Sequence, residues 1–435
     1  MICLSKHLAV QGRGILAQSI SAALVLTTAL VAQNAAAVEA AFGGQYRINS
    51  YYVQNSNVAP DGTFEDAAAS RLRIRQNIDL KFDENFSTHL QFELGHTRDN
   101  IITTSNPLRV RHAEMTYKFK NGITGEAGLV PLSDKFGDTQ YSADWDFNPL
   151  AGLLYLPAGS GNLRLGAANL AQGAETSRVP GDFSLYTADY VLPLGGNNQV
   201  NVGGSLAQIA ASDDQSNPRR TQLNYGVGAR FSLTEGLLLN GFLQGSKTDK
   251  DLLGTNNDAS GLAAKLELTG HAGAGDFGLM GTYATGKSNG TGFQPVMALA
   301  KTNGYWGYTG ILTVQGPTDT GFDGDTVNIS NNGYGLATVQ AKYSFPITSN
   351  LSGYLGAGWL GGSKAAGRSG TVGTDVLAMG TYRFTKVLAL NFGADYAKVK
   401  DSDSGYFQGA AGEFNQGVGV NRNKLALFSR LQAEF

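Results

Sequence analysis

The chain has 435 residues, and its 33 lysines and arginines against 35 aspartates and glutamates leave no basic excess of the kind that binds nucleic acid. Its single cysteine, Cys3, lies near the amino terminus, which excludes disulfides, thiolate metal sites and covalently attached haem from the rest of the chain. Beyond residue 37, no apolar run approaches the roughly 20 residues of a membrane-spanning helix.

The amino terminus, residues 1–37, has the pattern of a secretory signal peptide. A basic start precedes a run of apolar and small residues over 15–32, and three alanines at 35–37 offer a cleavage site. A membrane anchor is the alternative, but several polar residues interrupt the run. We therefore expect residues 1–37 to be removed on secretion and residues 38–435 to form the mature protein.

The stretch 69–83 carries a pattern that recurs along the rest of the chain. Read with a period of two, its apolar face consists of Leu72, Ile74, Ile78, Leu80 and Phe82. Its polar face consists of Arg71, Arg73, Arg75, Asn77, Asp79 and Lys81. Because successive side chains of a strand point to opposite faces, the pattern predicts a strand between an apolar environment and water. A soluble sandwich and a membrane barrel both provide these two environments.

Further strands with the same alternation follow along the chain. They are predicted over 45–54, 86–98, 109–120, 123–130, 223–233, 262–269, 337–345, 375–384, 388–398 and 424–435. Large aromatic residues lie beside the short turns, as at Phe82 and Phe86 or Tyr343 and Phe345. An aromatic belt at a membrane interface explains this placement, whereas a soluble sandwich has no reason for it. The pattern therefore favours the barrel.

The carboxyl terminus and the short turns of such a barrel lie on the periplasmic side, so the long loops must lie on the other side. Any further strands must therefore be added in pairs. An extra hairpin over 152–171 fits this rule, and the segment 288–331 is either a folded loop or another hairpin. We expect an all-β, transmembrane antiparallel barrel of about 18 strands, with 16 and 20 as alternatives. Short periplasmic turns alternate with long extracellular loops, one of them over 288–330.

The last strand places Leu431, Ala433 and Phe435 on one face and ends in an aromatic residue. The chain resembles the Gram-negative outer-membrane β-barrel porin superfamily in three features, which are this last strand, the signal peptide and the recurring strand pattern. The resemblance implies that barrel-assembly machinery reads Leu431, Ala433 and Phe435 as an insertion signal. It also implies a location in the cell outer membrane, contact with lipid and lipopolysaccharide and, by analogy, assembly as a homotrimer.

Basic residues on the polar faces are predicted to line the pore: Arg71, Arg73, Arg75, Arg230, Lys342 and Arg383. Because desolvation in lipid would be prohibitive for these charges, they must face water. Residues two apart on a strand stand about 6–7 Å apart on one face, so Arg71, Arg73 and Arg75 predict a positive wall that favours anions. The alternative is a solvated lumen without a role in selectivity.

The segment 132–150 resembles, in position and acidic content, the porin loop that folds into the barrel and narrows the pore. On that resemblance the constriction would include Asp134, Asp138, Asp144, Trp145 and Asp146. The aspartates would face the arginines and create a transverse electric field. An exposed outer loop is the alternative.

The sequence indicates neither catalysis nor a cofactor. Its five histidines include no pair at the spacing of metal ligands, and no G-x-S-x-G motif or Ser/His/Asp arrangement stands out. Asp319, Asp323, Asp325 and Asn328 offer oxygen ligands that suit Ca²⁺, but their spacing does not match an EF-hand loop, and an exposed polar loop is the alternative. We expect a non-enzymatic diffusion porin that passes small hydrophilic solutes or ions. The alternatives are an alginate-type polysaccharide export channel and a barrel sheath for a partner multihaem cytochrome.

Overall fold

The structure is a computed structural model. It describes residues 38–58, 63–95, 108–143, 147–171, 183–209, 219–249, 257–296, 306–318, 326–364, 370–400, 407–408, 414–415 and 421–435. The predicted signal peptide lies outside these ranges. No helix within them has the length and apolar character that crossing a bilayer requires.

Almost all regular structure in these ranges is β-strand. The strands are β1 (Glu39–Val58), β2 (Phe64–Lys81), β3 (Phe86–Leu94), β4 (Leu108–Lys118), β5 (Thr124–Leu129), β6 (Leu150–Ala158), β7 (Gly161–Ala171), β8 (Phe183–Gly195), β9 (Asn198–Ile209), β10 (Arg220–Thr234), β11 (Leu237–Thr248), β12 (Ala259–Ala272), β13 (Gly275–Ala284), β14 (Leu336–Pro346), β15 (Leu351–Ser363), β16 (Gly370–Arg383), β17 (Leu388–Lys400), β18 (Phe407–Gln408), β19 (Phe414–Asn415) and β20 (Asn421–Glu434). Two short 3₁₀ turns lie at Gly316–Thr318 and Asn331–Gly333.

The sheet is an 18-stranded antiparallel barrel. Consecutive strands from β1 to β17 pair with each other, and β20 pairs with both β17 and β1, which closes the sheet. The short strands β18 and β19 pair with each other in a separate hairpin. The prediction of an all-β barrel of about 18 strands is confirmed. The hairpin expected over 152–171 is present as β6 and β7, and the described parts of 288–331 contain no strand.

The outer face of the barrel is apolar. On β1, Tyr46 and Ile48 are each 49% exposed, whereas Arg47 between them is 7% exposed and faces the lumen. Directly opposite residues of paired strands share a face, and the partners of Tyr46 and Ile48 on β2 are Ile74 and Leu72. The two faces predicted for β2 are therefore confirmed, because its apolar side chains meet lipid and its charged side chains line the interior.

One end of the barrel, which we call the turn end, carries the short turns and pairs of aromatic residues. Every connection longer than five residues follows an odd-numbered strand and so lies at the opposite, loop end. The aromatic pairs beside short turns are Phe82–Phe86, Tyr117–Phe119, Tyr343–Phe345 and Tyr382–Phe384, with ring centroids 5.0, 4.8, 5.6 and 4.9 Å apart. This arrangement confirms the aromatic belt expected from the sequence.

The last residue of the chain completes the seam between β20 and β1. Phe435 N donates to Gly44 O at 3.2 Å, and Gly44 N donates to Phe435 O at 2.8 Å. A Cβ on Gly44 would stand 2.4 Å from Arg75 O and 3.0 Å from the Phe435 ring, so a glycine is needed for this close packing. Leu431 and Phe435 face outward, at 38% and 57% exposure. Recognition of Leu431, Ala433 and Phe435 by assembly machinery stays a prediction.

Candidate functional site

Closure of the barrel brings five arginines together on the inner surface, and we call them the basic wall: Arg47, Arg71, Arg73, Arg75 and Arg430. Arg47 lies directly opposite Arg73 across β1 and β2. Asn49 lies opposite Arg71 on one side and opposite Arg430 on the other. The wall therefore spans β20, β1 and β2, which are the last strand and the first two strands of the chain.

Neutral amides orient two members of the basic wall. Arg47 Nε donates to Gln432 Oε1 at 2.7 Å, and Arg73 Nη2 donates to Gln45 Oε1 at 2.6 Å. A neutral partner fixes the direction of a guanidinium without cancelling its charge. These bonds therefore fix the directions of the Arg47 and Arg73 guanidiniums on the inner surface.

An acidic partner of the wall, Glu93 on β3, is 1% exposed. Arg75 Nε donates to Glu93 Oε2 at 2.5 Å, and Arg109 Nε donates to Glu93 Oε1 at 3.0 Å. One carboxylate thus accepts from two guanidiniums. Arg71 lies over the Tyr51 ring, with Cζ 5.9 Å from the centroid. The line of guanidiniums therefore extends from Arg71 on β2 to Arg109 on β4.

A β-bulge turns Arg111 and His112 to the same side of the sheet. The register between β3 and β4 shifts between Gln91 and Phe92, and a bulge of this kind sets two residues against one. Arg111 and His112 are 6% and 7% exposed. Arg111 Nη1 donates to Gln91 Oε1 and its Nη2 donates to Ala143 O, each at 2.7 Å. Arg111 therefore links the wall of β4 to the loop that contains Ala143.

The described parts of the connection between β5 and β6, residues 130–143 and 147–149, enter the barrel, and we call them the first inward loop. The donors from the inner surface are Arg164 to Ser133 O at 3.0 Å, Asn201 to Lys135 O at 2.9 Å and Gln244 to Thr139 Oγ1 at 3.1 Å. Phe136 is 6% exposed and packs against Phe242, with ring centroids 6.3 Å apart. Because these anchors lie on β7, β9 and β11, the loop covers that side of the lumen.

Asp134 organises the first inward loop instead of facing the arginines. Its carboxylate accepts backbone N–H groups of Phe136 at 2.6 Å, Asp138 at 3.1 Å, Gln140 at 2.5 Å and Tyr141 at 3.3 Å. Burial, with a smaller contribution from nearby Asp138, raises the pKa of Asp134 to about 7, against the lowering effect of these backbone bonds. The expectation that Asp134 faces the channel was wrong, because the loop needs its oxygens internally.

The other residues predicted for the constriction have different placements. Asp138 is partly buried and has a φ of +60°, which marks a tight bend in the first inward loop. Asp144, Trp145 and Asp146 lie outside the described residues. The transverse field expected between aspartates and arginines therefore stays a prediction for these positions.

The described parts of the connection between β13 and β14, residues 285–296, 306–318 and 326–335, also lie against the inner surface of the barrel, and we call them the second inward loop. The bonds to its middle part are Leu312 N to Asp375 Oδ2 at 2.7 Å, Tyr354 OH to Tyr308 O at 2.8 Å and Arg430 Nη1 to Gly316 O at 3.4 Å. Trp306, Ile311 and Leu312 are at most 1% exposed and pack against lumen-facing residues such as Leu377 and Val399. The segment expected over 288–330 as an extracellular loop thus lies, in its described parts, within the barrel.

Three basic residues that the sequence assigned to the pore wall lie outside the basic wall. Arg230 is exposed on β10, which stands across the barrel from β1. Lys342 lies over the ring of Tyr308, with Nζ 4.4 Å from the centroid, and so supports the second inward loop. Arg383 is exposed at the end of β16 beside a short turn. None of the three joins the basic wall, because sequence alternation gives a residue's face but not its position around the barrel.

The two inward loops end at opposite edges of the basic wall. Arg111, on β4, holds Ala143 of the first loop, and Arg430, on β20, holds Gly316 of the second. The first loop covers the side of β7 to β11, and the second covers the side of β14 to β17. The sector from β20 to β4 lies between them. The basic wall therefore lies in the sector between the described parts of the two inward loops.

Sequence reasoning missed Arg111 and underrated Arg47 and Arg430. The bulge that turns Arg111 inward has no signature in the sequence, whereas Arg47 and Arg430 lie on polar faces that alternation identifies. Among the described residues, no group of three or more histidines, cysteines or carboxylates is arranged to hold a metal ion. Of the loop residues weighed for calcium, Asn328 binds Ser330 and Asn332, and the three aspartates lie outside the described ranges.

Comparison with known proteins extends the fold assignment. Acinetobacter baumannii OccAB4 is 10% identical over 91% of this chain and 98% of its own, with a TM-score of 0.53. The fold is that of outer-membrane porins. Pseudomonas aeruginosa OccK5 (OpdH) has the same values, and Pseudomonas aeruginosa OccK11 (OpdR) is 12% identical over 91% of this chain and 96% of its own, with a TM-score of 0.52. The sequence matches no protein-family model, and no curated protein matches it significantly.

Proposed function

We propose that this protein is an outer-membrane porin whose passage favours small anionic solutes. The observation that supports the proposal is the position of the basic wall between the edges of the two inward loops. The porin fold and the lipid-facing apolar surface support the location, and a passive channel requires no catalytic group or cofactor. Lipid, lipopolysaccharide, the barrel-assembly machinery and a homotrimer remain the expected partners.

The charges of the basic wall are strong enough to select among ions. At an effective dielectric constant of about 20, a guanidinium attracts a carboxylate about 4 Å away by about 4 kcal/mol, and in bulk water by about 1 kcal/mol. A narrow passage lined by low-dielectric protein lies between these limits. Five guanidiniums along one wall would therefore concentrate anions and disfavour cations, and salt would screen the effect.

The structure bears differently on the two alternatives. A sheath for a multihaem cytochrome needs an empty lumen, whereas the second inward loop packs an apolar cluster into this one. A polysaccharide export channel would also use a basic wall, but its polymer must pass two anchored loops. The diffusion porin requires neither an empty lumen nor loop displacement, and it is the function that the geometry supports best.

The test is ion selectivity in a planar bilayer under a salt gradient. Arg71→Ala with Arg73→Ala removes two charges that each contribute about 1 kcal/mol to an ion about 4 Å away in water, so the anion-to-cation permeability ratio should fall by about fivefold or more. High salt should reduce the difference between wild type and variant.

Arg230→Ala with Arg383→Ala is the matched control, because it removes two basic residues that lie outside the basic wall. This variant should keep the wild-type reversal potential. Equal shifts in the two variants would mean that total charge, and not the wall, sets selectivity. A correctly folded wild-type barrel that conducts no ions would contradict the porin function itself.

A further inference from the structure

The structure brings together two histidines that the sequence keeps apart. His89 on β3 and His112 on β4 both face the lumen, with ring centroids 5.6 Å apart. His112 Nδ1 and His89 Nε2 are 3.5 Å apart, and His89 Nδ1 lies 2.6 Å from Asp79 Oδ1. At the other end, His112 Nε2 lies 3.2 Å from Arg111 Nη1. Four polar side chains thus form one continuous chain across β2, β3 and β4.

The proton positions in this chain follow from its two ends. An arginine can only donate, so His112 Nε2 must accept from Arg111, which places the ring hydrogen of a neutral His112 on Nδ1. That hydrogen points to His89 Nε2, which leaves the His89 hydrogen on Nδ1 as the donor to Asp79. The direction of donation therefore runs from Arg111 through His112 and His89 to Asp79. A metal ion on Nδ1 of His112 would require a hydrogen on Nε2, facing the donors of Arg111, so the geometry opposes a metal site.

We propose that neutral His112 is a positioning residue that, through Arg111, holds the edge of the first inward loop at the constriction. His112 Nε2 and Gln91 Oε1 both accept from Nη1 of Arg111. This orients the guanidinium so that its Nη2 donates to Ala143 O at 2.7 Å. Asn148, which follows in the same loop, also lies beside His112. The inference deepens the proposed function, because it explains how one side of the passage is fixed.

Acid should break this chain. A proton on His112 Nε2 would put a second donor against Arg111, and the imidazolium would add a charge beside two guanidiniums, Arg75 and Arg111. Among the described residues, the carboxylates that face the histidines from neighbouring positions are Asp79 on β2 and Glu114 on β4, with Glu126 on β5 next to Glu114. A protonated His112 would no longer accept from Arg111 and would repel its guanidinium, so acid should release the edge of the first inward loop.

The test measures hydrogen exchange of backbone amides in the first inward loop, with channel current as a second readout. His112→Phe removes the acceptor for Arg111, and loss of one hydrogen bond of ordinary net strength should speed exchange near Ser142 and Phe147 by about fivefold at neutral pH. His112→Gln keeps an acceptor and a donor but does not titrate, so it should exchange like wild type near pH 7. Folding of each variant is checked by its heat-dependent mobility on gels.

The change in exchange rate on acidification then distinguishes wild type from the variants. Between about pH 7 and about pH 4, where histidines in proteins commonly titrate, wild type should change from slow to fast exchange and show noisier open-channel current, and His112→Gln should not. Asp134 titrates equally in both and so cancels from the comparison. His271→Gln, at an exposed histidine beside Asp276, is the control and should behave like wild type.

Two results would overturn the inference: wild-type exchange in His112→Phe at neutral pH, or an undiminished acid response in His112→Gln. Both concern loop exchange and do not depend on ion flow. A barrel that shows the expected exchange but no current would contradict the porin function and leave the role of His112 intact.

Discussion

The anchoring of the first inward loop depends on a buried ion pair, and breaking it gives a sharp test. Arg164 and Asp189 have side chains 7% and 3% exposed, and Arg164 Nε donates to Asp189 Oδ2 at 3.0 Å. The same guanidinium donates to Ser133 O of the loop at 3.0 Å. Arg164→Met keeps much of the apolar volume but leaves Asp189 as an unpaired carboxylate under the loop.

The expected magnitude follows from the cost of a lone buried charge. Removing one partner of a buried ion pair typically costs about 3–5 kcal/mol. When the loop leaves the wall, water reaches Asp189 and relieves that cost, so the whole penalty favours the undocked loop. Loss of the bond to Ser133 adds about 1 kcal/mol. Amide exchange in the first inward loop should accelerate by about a hundredfold or more, and the single-channel conductance should rise.

The double variant Arg164→Met with Asp189→Leu separates charge from contact. Because both charges are gone, the penalty for the lone carboxylate disappears, and only the lost bond to Ser133 should remain, a change of about fivefold in exchange rate. The assay is exchange measured by mass spectrometry on the refolded barrels in lipid. If the double variant exchanged as fast as Arg164→Met, the reasoning from an uncompensated charge would be refuted.

Two further changes test the second loop and the backbone of the barrel. Lys342→Met removes the cation over the ring of Tyr308, an interaction worth about 0.5–2 kcal/mol, so exchange in the second inward loop should rise severalfold while the first loop keeps its wild-type rate. Equal changes in both loops would contradict local anchoring. Gly128→Ala should lower the thermal midpoint, because Gly128 has a φ of +132° and a Cβ there would stand 2.0 Å from Ala113 O. Such strain costs about 1–3 kcal/mol. Gly152→Ala, where a Cβ meets nothing within 4 Å, is the control and should leave the midpoint unchanged.

The sequence by itself determined the class of the fold and the face of most strand residues. Alternation with a period of two is a local property, because each peptide turns its side chain to the face opposite its neighbour's. The exposed faces of β2, β10 and β20 could therefore be derived from the residue order. The aromatic belt could also be predicted from the sequence, since rings beside short turns lie at the same depth in the membrane in every hairpin. The sequence bounded the number of strands but did not fix it, because the segments 152–171 and 288–331 had similarly weak patterns for an extra hairpin.

The tertiary structure alone decided which charged residues meet. Closure pairs β1 with β20, and this places Arg430 and Arg71 on the two sides of Asn49 although they lie near opposite ends of the chain. Arg230 carries the same alternation signal but stands across the barrel, since pairing order sets position around the circumference. The bulge at Arg111 and the inward course of both loops depend on partners contributed by distant strands. Faces are local and follow from sequence, whereas the basic wall and its borders arise from long-range register, which no local pattern encodes.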